Sequence, residues 1–300
     1  MIIGLLGPRG SYSDNAANLW LSRKEHAPIK DISMKYCDDI IDTFDVIIKG
    51  NADIGIVPVE NSIEGSVGVT LDMLMEYDVH IIAEVVVPVE HCLLSRGKIE
   101  DIRVILSHPQ ALGQCRHFIK NHFPHAEIRT TGSTSHAAKL ATEFEEMAAI
   151  ASRESAQMYG LNILLCNIQD FNNNHTRFIV FRKKHENDDL IWKLANNICT
   201  IDNKGTIDNK AKDSHLYKTS IIVYLDRDRP GALYNLLGEF ATRKINLTRI
   251  ESRPSKRILG DYIFYIDFVG NISDTIIKDA LNSIQSKTGM MKVLGSYTMY

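Results

Sequence analysis

The chain has 300 residues, 44% of them hydrophobic and 24% charged, a length and balance that suit two soluble globular domains of about 150 residues each. A formal net charge of -3 leaves no basic footprint for nucleic acid. The apolar start, Met1 to Gly7, has no basic flank and is interrupted at Pro8, so it is not a signal peptide, and no uncharged run approaches the roughly 18 residues of a membrane span. The five cysteines (Cys37, Cys92, Cys115, Cys166 and Cys199) are widely spaced, which argues against a disulfide framework or a thiolate metal site. The chain reads as cytoplasmic, so the acceptor triplets at Asn174, Asn246 and Asn271 are discounted as glycan sites.

In chain order, strands are predicted at Ile2 to Leu6 and Ile54 to Val57, with helices at Asp14 to Leu21, Ile40 to Lys49 and Val69 to Tyr77. Pro58, which has no N–H to donate, is expected to end its strand. His80 to Leu94 reads as one β-rich stretch broken by Pro88. Strands at 104–106, 128–131, 148–151, 163–165 and 178–181 follow, with helices at 111–123 and 135–145. This alternation predicts an α/β domain with a largely parallel sheet over 1–183, in two lobes, the chain crossing between them twice. Lys, Asn and Asp dominate residues 184–217, which read as a polar linker, although Trp192, Leu194 and Ile198 suit one docked amphipathic turn. Residues 218–300 give a βαββαβ order, the ferredoxin-like unit, with Pro230 and Gly231 opening its first helix. Such units commonly pair edge to edge, so a homodimer or homotetramer is expected.

Several loops concentrate polar groups at strand ends, where open α/β sheets bind ligands. Glu60, Asn61, Ser62, Glu64 and Gly65 crowd one such end, either as a site or as plain helix capping. Gly7, Pro8, Arg9, Gly10 and Ser11 to Ser13 form a second, with Ser13 a candidate N-cap. His108, Pro109 and Gln110 form a third, in which His108 reads as structural rather than as a general base. Gly132, Ser133 and Thr134 form a fourth. Helix starts rich in hydroxyls suit an anionic ligand held without metal. An Asn-rich turn, Asn172 to Asn174, delivers Thr176, Arg177 and Phe178 to a sheet edge. Arg suits a carboxylate, and Thr176 is able to donate to a developing oxyanion; the alternative is a turn with a surface Arg and a core Phe. His117, His122 and His125 lack a carboxylate at metal spacing and read as a solvated face.

Pro58-Val59-Glu60-Asn61-Ser62-x-Glu64-Gly65, Thr176-Arg177-Phe178, Gly7-Pro8-x-Gly10 and His108-Pro109-Gln110-Ala111-Leu112 together resemble prephenate dehydratase. Gly231-Ala232-Leu233-Tyr234 and Glu251-Ser252-Arg253-Pro254 resemble the ACT regulatory domain that such enzymes carry. The resemblance covers about 1–183 and 217–300, in the expected order, without a preceding chorismate mutase domain. Ser11-Tyr12-Ser13 stands where the family usually has Thr-Phe-Thr.

The resemblance implies a two-lobed, periplasmic-binding-protein-like (type II) domain that converts prephenate to phenylpyruvate, carbon dioxide and water. Aromatisation drives that reaction, so neither metal nor organic cofactor is expected. The resemblance implies Thr176 as hydrogen-bond donor to the leaving hydroxyl and Glu64 as an acid or orienting group. A carboxyl acting as acid near neutral pH would need burial. Asn61, Ser62, Ser13, Ser133, Thr134 and Arg177 would position the carboxylates, with Phe178 beside them. L-phenylalanine is implied as effector, bound near Gly231, Ala232, Leu233, Glu251, Ser252, Arg253 and Pro254. Arogenate dehydration and a non-catalytic amino-acid sensor are the competing readings.

Overall fold

The computed structural model describes residues 1–22, 31–185, 217–225, 230–256 and 261–299. They group into two units, 1–70 with 85–179 and 71–84 with 180–300. The polar segment expected over 184–217 therefore lies outside the described residues from 186 to 216, Trp192 included.

The first sheet has the order β2-β1-β3-β11-β5, from β1 (Ile2–Leu6), β2 (Ser33–Cys37), β3 (Ile54–Asn61), β5 (Val79–Pro88) and β11 (His175–Lys183), with the short β4 (Gly65–Ser66) paired on β3. β1 runs parallel to both β2 and β3. Helices α1 (Tyr12–Leu21) and α2 (Ile40–Ile48) are the crossovers that parallel pairing requires. Ile3, Leu5, Ile56 and Val57 are wholly buried in this sheet.

The second sheet has the order β10-β6-β9-β7-β8, from β6 (Cys92–Ser95), β7 (Val104–Ser107), β8 (Glu127–Thr130), β9 (Met147–Ala151) and β10 (Asn162–Cys166). Helices α4 (Pro109–Gln114), α5 (Arg116–His122), α6 (Thr134–Leu140) and α7 (Arg153–Tyr159) accompany it. Alanines 137, 138, 141, 149, 151 and 156 pack against Leu94 and Leu106 in its core, small side chains that let helix and sheet approach closely. The chain leaves the first sheet after β5 and returns to it at β11. Two α/β lobes joined by two crossings give the periplasmic-binding-protein-like arrangement that the resemblance implies.

Sequence and structure differ at particular points. Strand β3 continues through Pro58 to Asn61. Its pairing with β1 ends at Ile56, so the missing N–H interrupts no bond to β1, while the Pro58 carbonyl accepts from Thr70 Oγ1 at 2.6 Å. The single helix expected over 111–123 is broken at Cys115 into α4 and α5. Strand β2 and helix α7 escaped the pattern reading, being short and weakly periodic.

In the second unit, β12 (Tyr217–Tyr224), α8 (Ala232–Thr242), β13 (Leu247–Pro254), β14 (Tyr262–Val269), α9 (Thr275–Lys287) and β15 (Met290–Thr298) form the expected βαββαβ module. Its antiparallel sheet has the order β13-β14-β12-β15. One face buries Ile221, Val223, Phe240, Phe268 and Leu281 beneath the two helices. Within the same unit, residues 71–76 of helix α3 (Gly68–Glu76) are held by side chains of this module. Tyr265 Oη donates to Leu71 O at 2.9 Å. Lys292 Nζ donates to the carbonyls of Leu74, Met75 and Tyr77, placing a cation at the negative end of the helix. Among the described residues, no helix is long and apolar enough to cross a membrane.

Candidate functional site

Within the first unit, a cavity of about 880 Å³ is lined on one side by residues at the ends of β1 and β3 and on the other by α4 and the start of α6. That volume suits a small molecule. The hydroxyls of Ser11, Ser13, Ser133, Thr134 and Thr176 line it, and no lysine or arginine does so among the described residues. An anion entering here would meet neutral donors of the kind that helix starts and hydroxyls supply, beside the carboxylates of Asp38 and Glu64.

Asn61 organises the centre. It is 6% exposed, and its Nδ2 donates to Thr176 Oγ1 at 2.9 Å, Asn174 Oδ1 at 2.8 Å and His175 O at 3.3 Å. Its Oδ1 accepts from the amides of Ile63 and Glu64 at 3.0 and 3.1 Å, a local bond that shapes the turn following β3. Because Thr176 Oγ1 accepts from Asn61, its own O–H is left to donate. Stranding the Asn61 amide would cost about 1–3 kcal/mol, so the pair is fixed by satisfaction as much as by packing.

Glu64 lines the cavity but is exposed, not buried as an acid working near neutral pH would require. Its Oε1 accepts from Gln114 Nε2 at 3.2 Å. Gln114 Oε1 in turn accepts from Asn174 Nδ2 at 3.0 Å and lies 2.9 Å from His91 Nε2.

The other expected residues divide. Phe178 is 2% exposed and forms part of the lining. Ser133 caps α6 through His136 N at 3.0 Å, with Thr134 next to it. Ser13 reaches the cavity but is not the cap of α1; Ser11 takes that place, accepting from Asp14 N. His108 caps α4, its Nδ1 accepting from Gln110 N at 3.3 Å, and also lines the cavity.

Ser62 and Arg177 are not brought to the cavity. Ser62 Oγ donates to Asn173 O and accepts from His175 N, fastening the Asn-rich turn. Arg177 Nε donates to Glu60 Oε2 at 3.1 Å. The cause is the two-residue period of a strand: Thr176 and Phe178 share the cavity face of β11, so Arg177 takes the opposite one. Glu60, which had no role in the sequence reading, is its partner.

Sequence reasoning missed Gln114, Asn174, His91 and Tyr12. Gln114 follows Gln110 by one helical turn, a faint signal; His91 had none. Burial pushes the Cys115 thiol up to about 12 and raises that of Cys37, so neither offers a thiolate. Burial likewise raises the phenols of Tyr12 and Tyr36, which stay neutral. Among the described residues no His, Cys, Asp and Glu cluster is set to hold a metal.

In the second unit, Gly231 stands before α8 at φ +82°, a left-handed conformation that glycine adopts freely. Glu251, Ser252, Arg253 and Pro254 lie on the edge strand β13. Arg253 grips Asp72 of α3 through Nε and Nη2 at 3.1 and 3.2 Å, and Lys256 adds a bond of 2.8 Å. Burial pulls the Asp72 carboxyl up, but the bonds from Lys256 and Arg253 outweigh it and hold it below the usual range.

Comparison with known proteins places these features. The family model described as prephenate dehydratase matches residues 3–186, and the ACT domain model matches 219–285. The chain belongs to the prephenate dehydratase family. The prephenate dehydratase of Methanocaldococcus jannaschii is 40% identical over 296 residues, covering 98% of this chain and 96% of that protein. An arogenate dehydratase/prephenate dehydratase from Arabidopsis thaliana is 35% identical over 97% of this chain and 71% of its own. Among solved structures, prephenate dehydratase from Arthrobacter aurescens in complex with L-Phe superposes with a TM-score of 0.79 at 31% identity, covering 99% of this chain and 90% of that one. A structure described as a quorum-quenching acylase, GqqA, also gives 0.79, at 26% identity, covering 100% and 98%.

Proposed function

We propose that this chain converts prephenate to phenylpyruvate, carbon dioxide and water, and that phenylalanine regulates it through the ACT module. The observation that carries the catalytic reading is the Asn61–Thr176 bond, which leaves the Thr176 O–H to donate elsewhere, on a residue that lines a cavity of small-molecule size. In the reaction, the bond from ring to carboxylate breaks and its electron pair enters the ring. The ring hydroxyl leaves opposite it, carrying the displaced electron pair, and must take up a proton to become water. Thr176 donates a hydrogen bond to that oxygen as negative charge gathers there, the moment at which a fixed donor stabilises most. Glu64, exposed and held by Gln114, acts as an orienting charge rather than as a buried acid. Ser13, Ser133 and Thr134 supply neutral donors for the two substrate carboxylates, with Asn61 aligning Thr176 beside them.

Phenylalanine would bind near Gly231, Ala232 and Leu233, with Glu251 to Pro254 contributing; Arg253 already has an intramolecular partner in Asp72. Strands β13 and β15 end their sheet, and pairing of copies through this module would give a homodimer or homotetramer, which light scattering checks. The domain limits we assign are 1–183 and 218–300, joined by 184–217.

Incubation with prephenate, following phenylpyruvate by absorbance with and without phenylalanine, tests the reading. Absence of product at any pH, with phenylalanine still bound, would leave the sensor reading standing. The Arabidopsis relative favours arogenate as a second substrate, and a side-by-side assay separates the two.

A further inference from the structure

His91 lies between β5 and β6, at the first crossing between the lobes, and is 2% exposed. Its backbone N–H donates to Gln169 Oε1 at 3.0 Å. Its Nδ1 faces the Tyr12 hydroxyl at 3.4 Å, and the two rings meet edge to face. That hydroxyl donates to Glu90 O at 2.8 Å. Its Nε2 lies 2.9 Å from Gln114 Oε1.

The proton positions follow from what each atom is able to do. Gln114 Nε2 points at a carboxylate oxygen of Glu64, so it is the amide nitrogen, and Oε1 must be the atom facing His91. A carbonyl oxygen only accepts, so His91 Nε2 carries the proton. The same oxygen takes a proton from Asn174, whose Oδ1 takes one from Asn61, whose amide also supplies Thr176. Each bond in this chain has one direction, and His91 stands at its closed end.

We propose that His91 is a positioning residue: its Nε2–H locks the Gln114 amide, aligns Glu64, and, through Asn174 and Asn61, keeps the Thr176 hydroxyl proton turned into the cavity. Without that donor, Gln114 is free to turn its oxygen toward the Glu64 carboxylate and its nitrogen toward Asn174 Nδ2, opposing like groups at both ends. Burial keeps the imidazole neutral by disfavouring its charged form, outweighing the opposing bond to Gln114. The inference rests on the reading that Thr176 and Glu64 serve the reaction.

Three substitutions at His91 test it. His91→Leu removes the donor, His91→Asn stops short of Gln114, and His91→Gln restores an N–H near the Nε2 position. With prephenate, Leu and Asn should lower kcat about tenfold or more with KM within about twofold, whereas Gln retains most of the turnover. His91→Leu added to Thr176→Ala should lower kcat by a smaller factor than it does in the parent, because the route through Thr176 is already lost. A kcat within about twofold of the parent in the Leu or Asn protein overturns the proposal. So does a Gln protein as impaired as the Asn one, which would mark a packing role. Should the Leu protein fail to fold, as read by thermal unfolding, the Asn and Gln pair decides. Long-range proton–nitrogen spectra of histidine-labelled protein should show the Nε2–H tautomer at His91, and an Nδ1–H tautomer also overturns it. Full activity in both Thr176→Ala and Glu64→Gln would instead remove the reading of the site, whatever His91 does.

Discussion

At the residue scale, the proposed site turns on the Asn61 amide, whose bond to Thr176 Oγ1 leaves that hydroxyl to donate elsewhere. Thr176→Ala should lower kcat about 10²–10³-fold, the loss seen when one fixed donor to a developing oxyanion is removed. Thr176→Ser, which keeps the hydroxyl, should retain much of the activity. Asn61→Asp is the sharper variant. It replaces the donor amide with an acceptor, so the Thr176 proton turns toward Asp and away from substrate. Its kcat should approach that of Thr176→Ala although Thr176 remains, and phenylpyruvate formation measures both. A near-normal Asn61→Asp protein would reject the assigned bond direction. Of these residues, Thr176, Asn61 and Glu64 were legible in the sequence because they fall in short motifs at strand ends. Gln114 and Asn174 were not, since their roles depend on contacts spanning 60 and 113 positions.

At the element scale, the second unit is fastened by ion pairs whose settings differ. Glu239 of α8 meets Arg243 on its own helix and Lys287 of α9. Bonds from Lys287 and Ser283 lower its carboxyl from 4.5 to about 2, against the opposing effect of burial. A carboxyl with a depressed folded-state pKa stabilises above its unfolded value and loses that contribution as pH falls through the folded one. The stability difference between the parent and Glu239→Gln should therefore be largest above about pH 4.5 and shrink toward about pH 2, as urea titrations at several pH values would show. A difference unchanged by pH would rule the clasp out. The Lys218–Glu84 pair between β12 and β5 is buried instead, with both carboxylate oxygens within 2.8 Å of Nζ. Lys218→Met removes the cation that meets both carboxylate oxygens and should destabilise by about 3–5 kcal/mol, measurable by chemical denaturation. A loss under about 1 kcal/mol would place this pair with exposed surface pairs.

At the scale of the whole molecule, the two family models match separate segments, 3–186 and 219–285, so on the proposed reading catalysis and regulation should separate by mutation. Gly231 adopts φ +82°, which a β-branched residue tolerates poorly. Gly231→Val should abolish the phenylalanine response while prephenate turnover persists, read from activity curves over a phenylalanine series. In the parent, phenylalanine should raise the unfolding temperature; at 100 times its Kd the added stability is about 2.7 kcal/mol. Loss of turnover together with the response would mean that Gly231 matters to folding rather than to the effector. Gly295 of β15 marks a close approach of two backbones within the second unit. A Cβ there would lie 2.2 Å from Ile81 O, so β15 approaches that backbone only as glycine.

Period and punctuation in the sequence determined the α/β alternation, the βαββαβ tail, the family motifs and the hydroxyl-rich helix starts, because all of these are local. Even where local signals misled, as at Pro58, the reason was a neighbour: β1 stops short, so no bond to it is lost. Only the tertiary structure decided which motif residues share a face. It turned Arg177 to Glu60 and Ser62 to the Asn-rich turn, left Glu64 exposed, and joined His91, Gln114, Asn174 and Asn61 in one directed hydrogen-bond chain. Hydrogen bonds act over about 3 Å, whereas these partners lie far apart along the chain. Sequence spacing carries no record of which of them meet.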